Sequence, residues 1–172
     1  MPKAERLKKA QQLYQEAGYS KGNPLTLEIR YNTSENHKKI AIAISAMWKM
    51  NLGIRTRLIN EEWKVFLENR KQKKLTEAFR GGWIGDYNDA FTFAELMQSS
   101  HGINDSGYDN PEYDKLLKQA ANEGDLDKRR DIMEAAERML LQDHAIMPLY
   151  FYVTKHLIKP YVKGYQPNIL DH

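Results

Sequence analysis

The sequence predicts an α/β fold, a mixed but mostly parallel sheet flanked by helices. Through the first half of the chain, segments with apolar residues at helical spacing alternate with segments of period two. Strands separated by helices need crossover connections, and crossovers make neighbouring strands parallel. Helical periodicity dominates the second half.

Ala4, Leu7, Ala10 and Leu13 set a first helix over residues 4–16, with Gly18 as its terminator. After the turn cluster Lys21-Gly22-Asn23-Pro24, the run from Leu25 to Tyr31 alternates apolar and polar, which predicts a strand. Ser34 caps the next helix, whose stripe is Ile40, Ala43, Ile44, Met47 and Trp48, and Gly53 stops it. Residues 54–59 form a second strand, Glu61 to Arg70 a helix packing through Trp63, Phe66 and Leu67, and residues 75–84 a third extended segment. Further on, Phe91 to Met97 is a short amphipathic stretch, and Asn110-Pro111 opens a helix carrying Tyr113, Leu116, Leu117 and Ala120. Asp125 to Leu141 is the most regular helix, with Ile132, Met133, Ala136, Met139 and Leu140 on one face. Ala145 to Val153 reads as an apolar, aromatic strand in which Pro148 implies an edge, a bulge or a start. Residues 160–172 read as a tail that needs another surface to rest on.

Composition narrows the function. A chain of 172 residues with 41% hydrophobic and 28% charged residues can bury a core, so it is not a disordered segment. The net charge of +3 is too small to argue for nucleic acid, and the clusters Lys8–Lys9, Lys38–Lys39 and Lys71, Lys73, Lys74 read as solvated faces. With no cysteine, thiol catalysis and sulfur-ligated metals are excluded. No apolar run approaches the roughly 18 residues that span a bilayer. The start Met1-Pro2-Lys3-Ala4-Glu5-Arg6 has no apolar signal region; by itself it fits a cytoplasmic protein or a piece of a longer exported one.

Most chemistries lack their motif. His37, His101, His144, His156 and His172 form no pair at metal-ligand spacing, so neither a metal site nor a cofactor is expected. No glycine-rich phosphate loop and no G-x-S-x-G elbow occurs. Glu61, Glu62 and Asp86 lie near strand ends, where a hydrolase would place carboxylates, but acids at a helix start more often complement its dipole. The run Arg80-Gly81-Gly82-Trp83-Ile84-Gly85-Asp86-Tyr87-Asn88 is the most unusual. Arginine suits a carboxylate and aspartate an ammonium, so one segment carries what a zwitterionic ligand requires. The alternative is that Trp83 is core and Arg80 and Asp86 form a structural ion pair; residue chemistry leaves both open.

Tyr31-Asn32-Thr33-Ser34 followed by His37-Lys38-Lys39-Ile40-Ala41, then Glu62-Trp63-Lys64, then Arg80-x-Gly82-Trp83-x-x-Asp86-Tyr87-Asn88 resembles the C-terminal lobe of periplasmic oligopeptide-binding proteins, the family 5 extracellular solute-binding proteins of ABC transporters. Glu16-Ala17-Gly18-Tyr19 and Pro148 to Val153 belong to the same pattern, so the resemblance covers nearly the whole chain. Two features depart from it: Lys71–Leu75 is slightly longer, and Asp89-Ala90 stands where an acid followed by proline is common.

The resemblance implies a periplasmic-binding-protein-like lobe over residues 1–159, a fragment of a longer protein, with residues 160–172 returning towards the N-terminal lobe. It implies a binder of short peptides for an ABC importer, exported to the periplasm or cell envelope, and not an enzyme. Asp86 would receive the peptide α-amino group, with Arg80, His37 and Arg70 as partners for the C-terminal carboxylate. Trp63, Trp83 and Tyr152 would line side-chain pockets, Gly82 would leave room for the peptide backbone, and Ile84 belongs to the same binding set. Implied partners are short peptides, the membrane permease and the N-terminal lobe; the surfaces that lobe would cover also leave self-association of the isolated lobe open, and the small net charge argues against nucleic acid. The alternatives are a lobe for another solute (murein peptide, haem or a nickel complex) or an α/β hydrolase fragment.

Overall fold

A computed structural model describes residues 1–73, 77–153 and 155–166. Residues 75 and 76 of the expected third extended segment, and residues 167–172 of the expected tail, lie outside these. The chain divides into two compact units, Met1–Gly81 and Gly82–His172.

In the first unit α1 (Lys3–Glu16) leads to β1 (Thr26–Asn32), α2 (Glu35–Leu52), β2 (Arg55–Glu61), α3 (Trp63–Lys71) and the two-residue β3 (Ala78–Phe79). The described sheet has the order β2-β1-β3, and both pairings are parallel. The expected caps form: Ser34 Oγ accepts the amide of His37, and Gly53 ends α2 at φ 75°, where a side chain would be strained. The boundary of α3 differs from expectation. Glu61 is the last residue of β2, and Glu62 is the cap, its carboxylate accepting the amides of Lys64 at 2.8 Å and Val65 at 3.4 Å.

The alternation along β1 gives the sheet two unlike faces. Leu27, Ile29 and Tyr31, with Leu58 and Ala78, pack against Ala41, Ile44 and Trp48 of α2. Met47, expected on that stripe, is half exposed, because the buried line of α2 runs through Ala41 instead. The opposite face carries Glu28 and Arg30 of β1 and, by register, Arg57 and Glu61 of β2. It is charged and still largely covered: the side chains of Arg30 and Glu61 are each 11% exposed. Arg30 bridges Glu28 and Glu61, Arg57 pairs with Glu28, and Asn69 of α3 donates to Glu61 at 2.7 Å. Phe66 of α3, 1% exposed, packs beside this network edge-on to Phe79, with ring centroids 6.2 Å apart.

The second unit is helical: α4 (Phe91–Ala94), one 3₁₀ turn (Glu95–Met97), α5 (Pro111–Asn122) and α6 (Leu126–Gln142). Asn110 caps α5 with Pro111 in its first turn, and Asp125 caps α6. Tyr113 and Leu117 of α5 meet Ala136 and Leu140 of α6 in the core, as the two apolar stripes require. Tyr113 places its hydroxyl on the carbonyl of Ala94 at 2.7 Å, which satisfies the one polar atom it buries there.

The strand expected over Ala145–Val153 does not form. Aromatic and β-branched residues favour a strand only when a neighbouring strand supplies ladder bonds and a surface to cover. Here the segment lies open instead, with Phe151 96% exposed.

The charged face yields a stability prediction. Arg30→Ala leaves two covered carboxylates without their shared cation and lowers stability by about 3–5 kcal/mol in urea unfolding. Arg130→Ala, which removes an exposed pair with Asp127 on α6, changes it little.

Candidate functional site

β1 lies between its two partners, so the crossover through α2 leaves it in one direction and the crossover through α3 passes back to the other side. Right-handed crossovers of opposite direction put their helices on opposite faces. The carboxyl ends of the three strands then meet where the winding reverses, the place at which open α/β sheets present ligand groups. Asn32, Glu61 and the residue after Phe79, Arg80, mark those ends.

Of the residues expected in the site, the first unit holds His37, Trp63, Arg70 and Arg80. His37 sits in the first turn of α2, half-buried, with Nδ1 3.3 Å from the carbonyl oxygen of Asn32. A carbonyl only accepts, so that contact requires the proton on Nδ1 and leaves Nε2 as the free ring atom. Burial holds His37 below its ordinary pKa of 6.5, the positive charge of Arg80 lowers it further, and the Asn32 contact partly opposes both. The backbone amide of Arg80 donates to the Arg30 carbonyl at 2.8 Å, continuing the β1–β3 ladder. Among the described residues its guanidinium makes no hydrogen bond or ion pair. The His37 imidazole and the Arg80 guanidinium thus stand within electrostatic reach of each other at the strand ends.

Trp63 is the first residue of α3 and is 49% exposed, stacked on Phe66 at 6.1 Å. Half of it is therefore anchored and half is offered to solvent. Arg70 lies two turns further along α3, roughly 10 Å by helical rise. Its guanidinium stands 5.6 Å over the Phe66 ring.

The second unit holds Gly82, Trp83, Ile84, Asp86 and Tyr152. Asp86 is exposed and Trp83 half-buried, with the indole Nε1 donating to Asp86 Oδ2 at 3.1 Å. Trp83 is thus not core: it braces the acid. Ile84 is exposed beside it, as is Gly82. Tyr152 is 65% exposed in the open segment.

Sequence reasoning missed three supports of this loop. The first is Gly85, where a Cβ would lie 3.3 Å from both Thr92 Cγ2 and the Tyr87 carbonyl oxygen. Any side chain there would press on these neighbours, so close approach favours glycine. The second is Thr92, fully buried and bonded to Asp86 twice. The third is Asp89, which caps Phe91 at 2.7 Å and takes both terminal nitrogens of Arg129 at 2.8 and 2.9 Å. Those guanidinium bonds hold the Asp89 carboxyl below its usual range. The departure Asp89-Ala90 leaves the turn intact because Asp89 makes these bonds. Tyr87 donates to Glu95 at 2.7 Å, and burial together with that carboxylate pushes its phenol up to about 12.

Three sets of comparisons place this architecture among solute-binding proteins. The model of bacterial extracellular solute-binding proteins, family 5 (middle), matches residues 1–105. The periplasmic murein peptide-binding protein MppA of Escherichia coli is 45% identical over 159 residues, covering 92% of this chain and 29% of that protein. The periplasmic oligopeptide-binding protein OppA of Haemophilus influenzae is 45% identical over 166 residues, covering 95% and 30%. Among solved structures, the E. coli murein tripeptide binding protein MppA superposes with a TM-score of 0.91 at 42% identity, over 99% of this chain and 33% of that one. The H. influenzae OppA complex with RPPGFSPFR gives 0.90 at 43% identity over the same shares.

The chain belongs to the bacterial extracellular solute-binding proteins of family 5, whose members are binders of solutes. It spans about three-tenths of the length of these curated relatives.

The His37 environment gives a direct check. Arg80→Gln raises the His37 pKa towards 6.5 without reaching it, because burial, the larger cause, remains. An NMR titration of the His37 ring protons reads this. An unmoved midpoint would show that the two side chains do not sense each other.

Proposed function

We propose that this chain contributes the terminus-recognising part of a receptor for short peptides, the capturing component of an ABC importer in the periplasm or cell envelope, and that it catalyses nothing. The observation that carries this is the pairing of chemistries within one chain. An exposed carboxylate, Asp86, is held by its own loop, while the cation Arg80 and the titratable His37 stand at the ends of parallel strands. Asp86 receives the α-amino group, and Arg80, His37 and, for other peptide lengths, Arg70 receive the C-terminal carboxylate. Trp63, Trp83, Ile84 and Tyr152 face peptide side chains, and Gly82 leaves room for the peptide backbone.

Peptides are proposed as a class. The two relatives at 45% identity are named for murein peptide and for oligopeptides. Recognition of free termini serves any short peptide, because charge at the ends does not depend on side chains. The proposed roles of these groups are those of a binder: each meets a charge on the peptide.

Residues 1–159 are proposed to act as part of a longer receptor, with the C-terminal stretch resting on an N-terminal lobe. Its exposure supports this: Leu157 is 104% exposed and Tyr161 75%. So much apolar surface in one segment needs cover, from that lobe, or from a second copy when the chain is alone.

Titration with a free tripeptide and its N-acetylated form, followed by the fluorescence of Trp63 and Trp83, tests the assignment. The free peptide saturates the signal, and acetylation or Asp86→Ala weakens binding by about 2–5 kcal/mol, the usual cost of stripping one partner from a charge pair. Equal affinity for the two peptides would remove Asp86 from the role. Release of cleaved peptide would overturn the binder reading.

A further inference from the structure

We infer that Thr92 is a positioning residue for Asp86, fixing which carboxylate oxygen the chain offers to an ammonium group; the inference rests on the amine-receptor reading of Asp86. Thr92 is 0% exposed, so it touches no ligand and acts only through its neighbours. Its Oγ1 accepts the Asp86 amide at 3.1 Å and donates to Asp86 Oδ2 at 3.3 Å. A hydroxyl has one hydrogen to give, and this one is spent on the carboxylate.

Trp83 Nε1 donates to the same Oδ2 at 3.1 Å. Two donors converging on one oxygen set the carboxylate's rotation. Oδ1 has no hydrogen-bond partner among the described residues, which leaves it for an incoming cation. The loop is also pressed against the threonine: a Cβ on Gly85 would stand 3.3 Å from Thr92 Cγ2. Downstream, the Asp89–Arg129 pair ties the other end of the turn to α6. A carboxylate oriented before the ligand arrives loses less rotational freedom on binding.

The test uses the full chain with Thr92→Val, Thr92→Ser and Asp86→Asn, and two readouts. Valine keeps the methyl that packs on Gly85 and removes both hydrogen bonds; serine keeps the bonds. The first readout needs no ligand. The Trp83 indole N–H resonance, assigned with Trp83→Phe, moves in Thr92→Val and in Asp86→Asn and stays near its wild-type position in Thr92→Ser. The second is the affinity ratio of a free tripeptide to its N-acetylated form. Thr92→Val lowers that ratio about tenfold, the range for a hydrogen bond to a charged group. Thr92→Ser restores it, and affinity for the acetylated peptide is unchanged throughout.

An unmoved indole resonance overturns the inference, as does a Thr92→Val variant that weakens both peptides equally, the behaviour of a residue that merely supports the fold. A wild-type ratio of one defeats the amine-receptor reading instead. The indole resonance then still decides whether Thr92 orients the carboxylate.

Discussion

The first unit depends on the parallel pairing of β1 on both of its edges. Parallel neighbours cannot be joined by a tight turn, so each pairing requires a helix-bearing crossover. Because the two partners lie on opposite sides of β1, the crossovers run in opposite directions and α2 and α3 cover opposite faces. One face is closed by aliphatic packing on α2. The other is closed by Phe66 over a network of ion pairs. Both crossovers also start at the carboxyl ends of β1 and β2, and this is what brings His37 and Trp63 to the helix starts and Arg80 to the strand end.

The charged face under α3 shows how a central strand accommodates Glu28 and Arg30 at alternate positions. Each covered charge has an opposite partner, and Arg30 serves two carboxylates at once. Ion pairs removed from water contribute little net stability, since desolvation offsets their attraction. What they supply is register: shifting β2 by one residue would turn Arg57 and Glu61 to the aliphatic face, parting Glu61 from Arg30 and Glu28 from Arg57.

Much of this was legible in the sequence, and the failures have identifiable causes. Alternation from Leu25 to Tyr31 was readable because one face is aliphatic. The stripes of α5 and α6 were readable because each has a single apolar side and a capping residue. The alternation did not reveal that Glu28 and Arg30 are covered, since covered and solvated charges look alike until a helix is placed over them. Ala145–Val153 was misread for the converse reason: composition records a preference for strand, while a strand also needs an edge to pair with. In the candidate site, Asp86, Arg80 and Trp83 stood out by residue type. Thr92, Gly85 and Asp89 did not, because a threonine, a third glycine and a second acid carry meaning only through the loop geometry that brings them onto Asp86.

The groups proposed to bind the peptide termini are a braced carboxylate in one unit and an imidazole with a guanidinium in the other. The proposed assignment of peptide termini rests on the chemistry of each group. The most direct measurement is an amide NMR map of the chain during titration with a free tripeptide. The account predicts perturbations confined to the start of α2 around His37, the start of α3 around Trp63, the run from Arg80 to Thr92 and the neighbourhood of Tyr152, saturating together with one affinity. Saturable shifts confined to the α5–α6 pair, or different affinities at the His37–Arg80 and Asp86 regions, would contradict it.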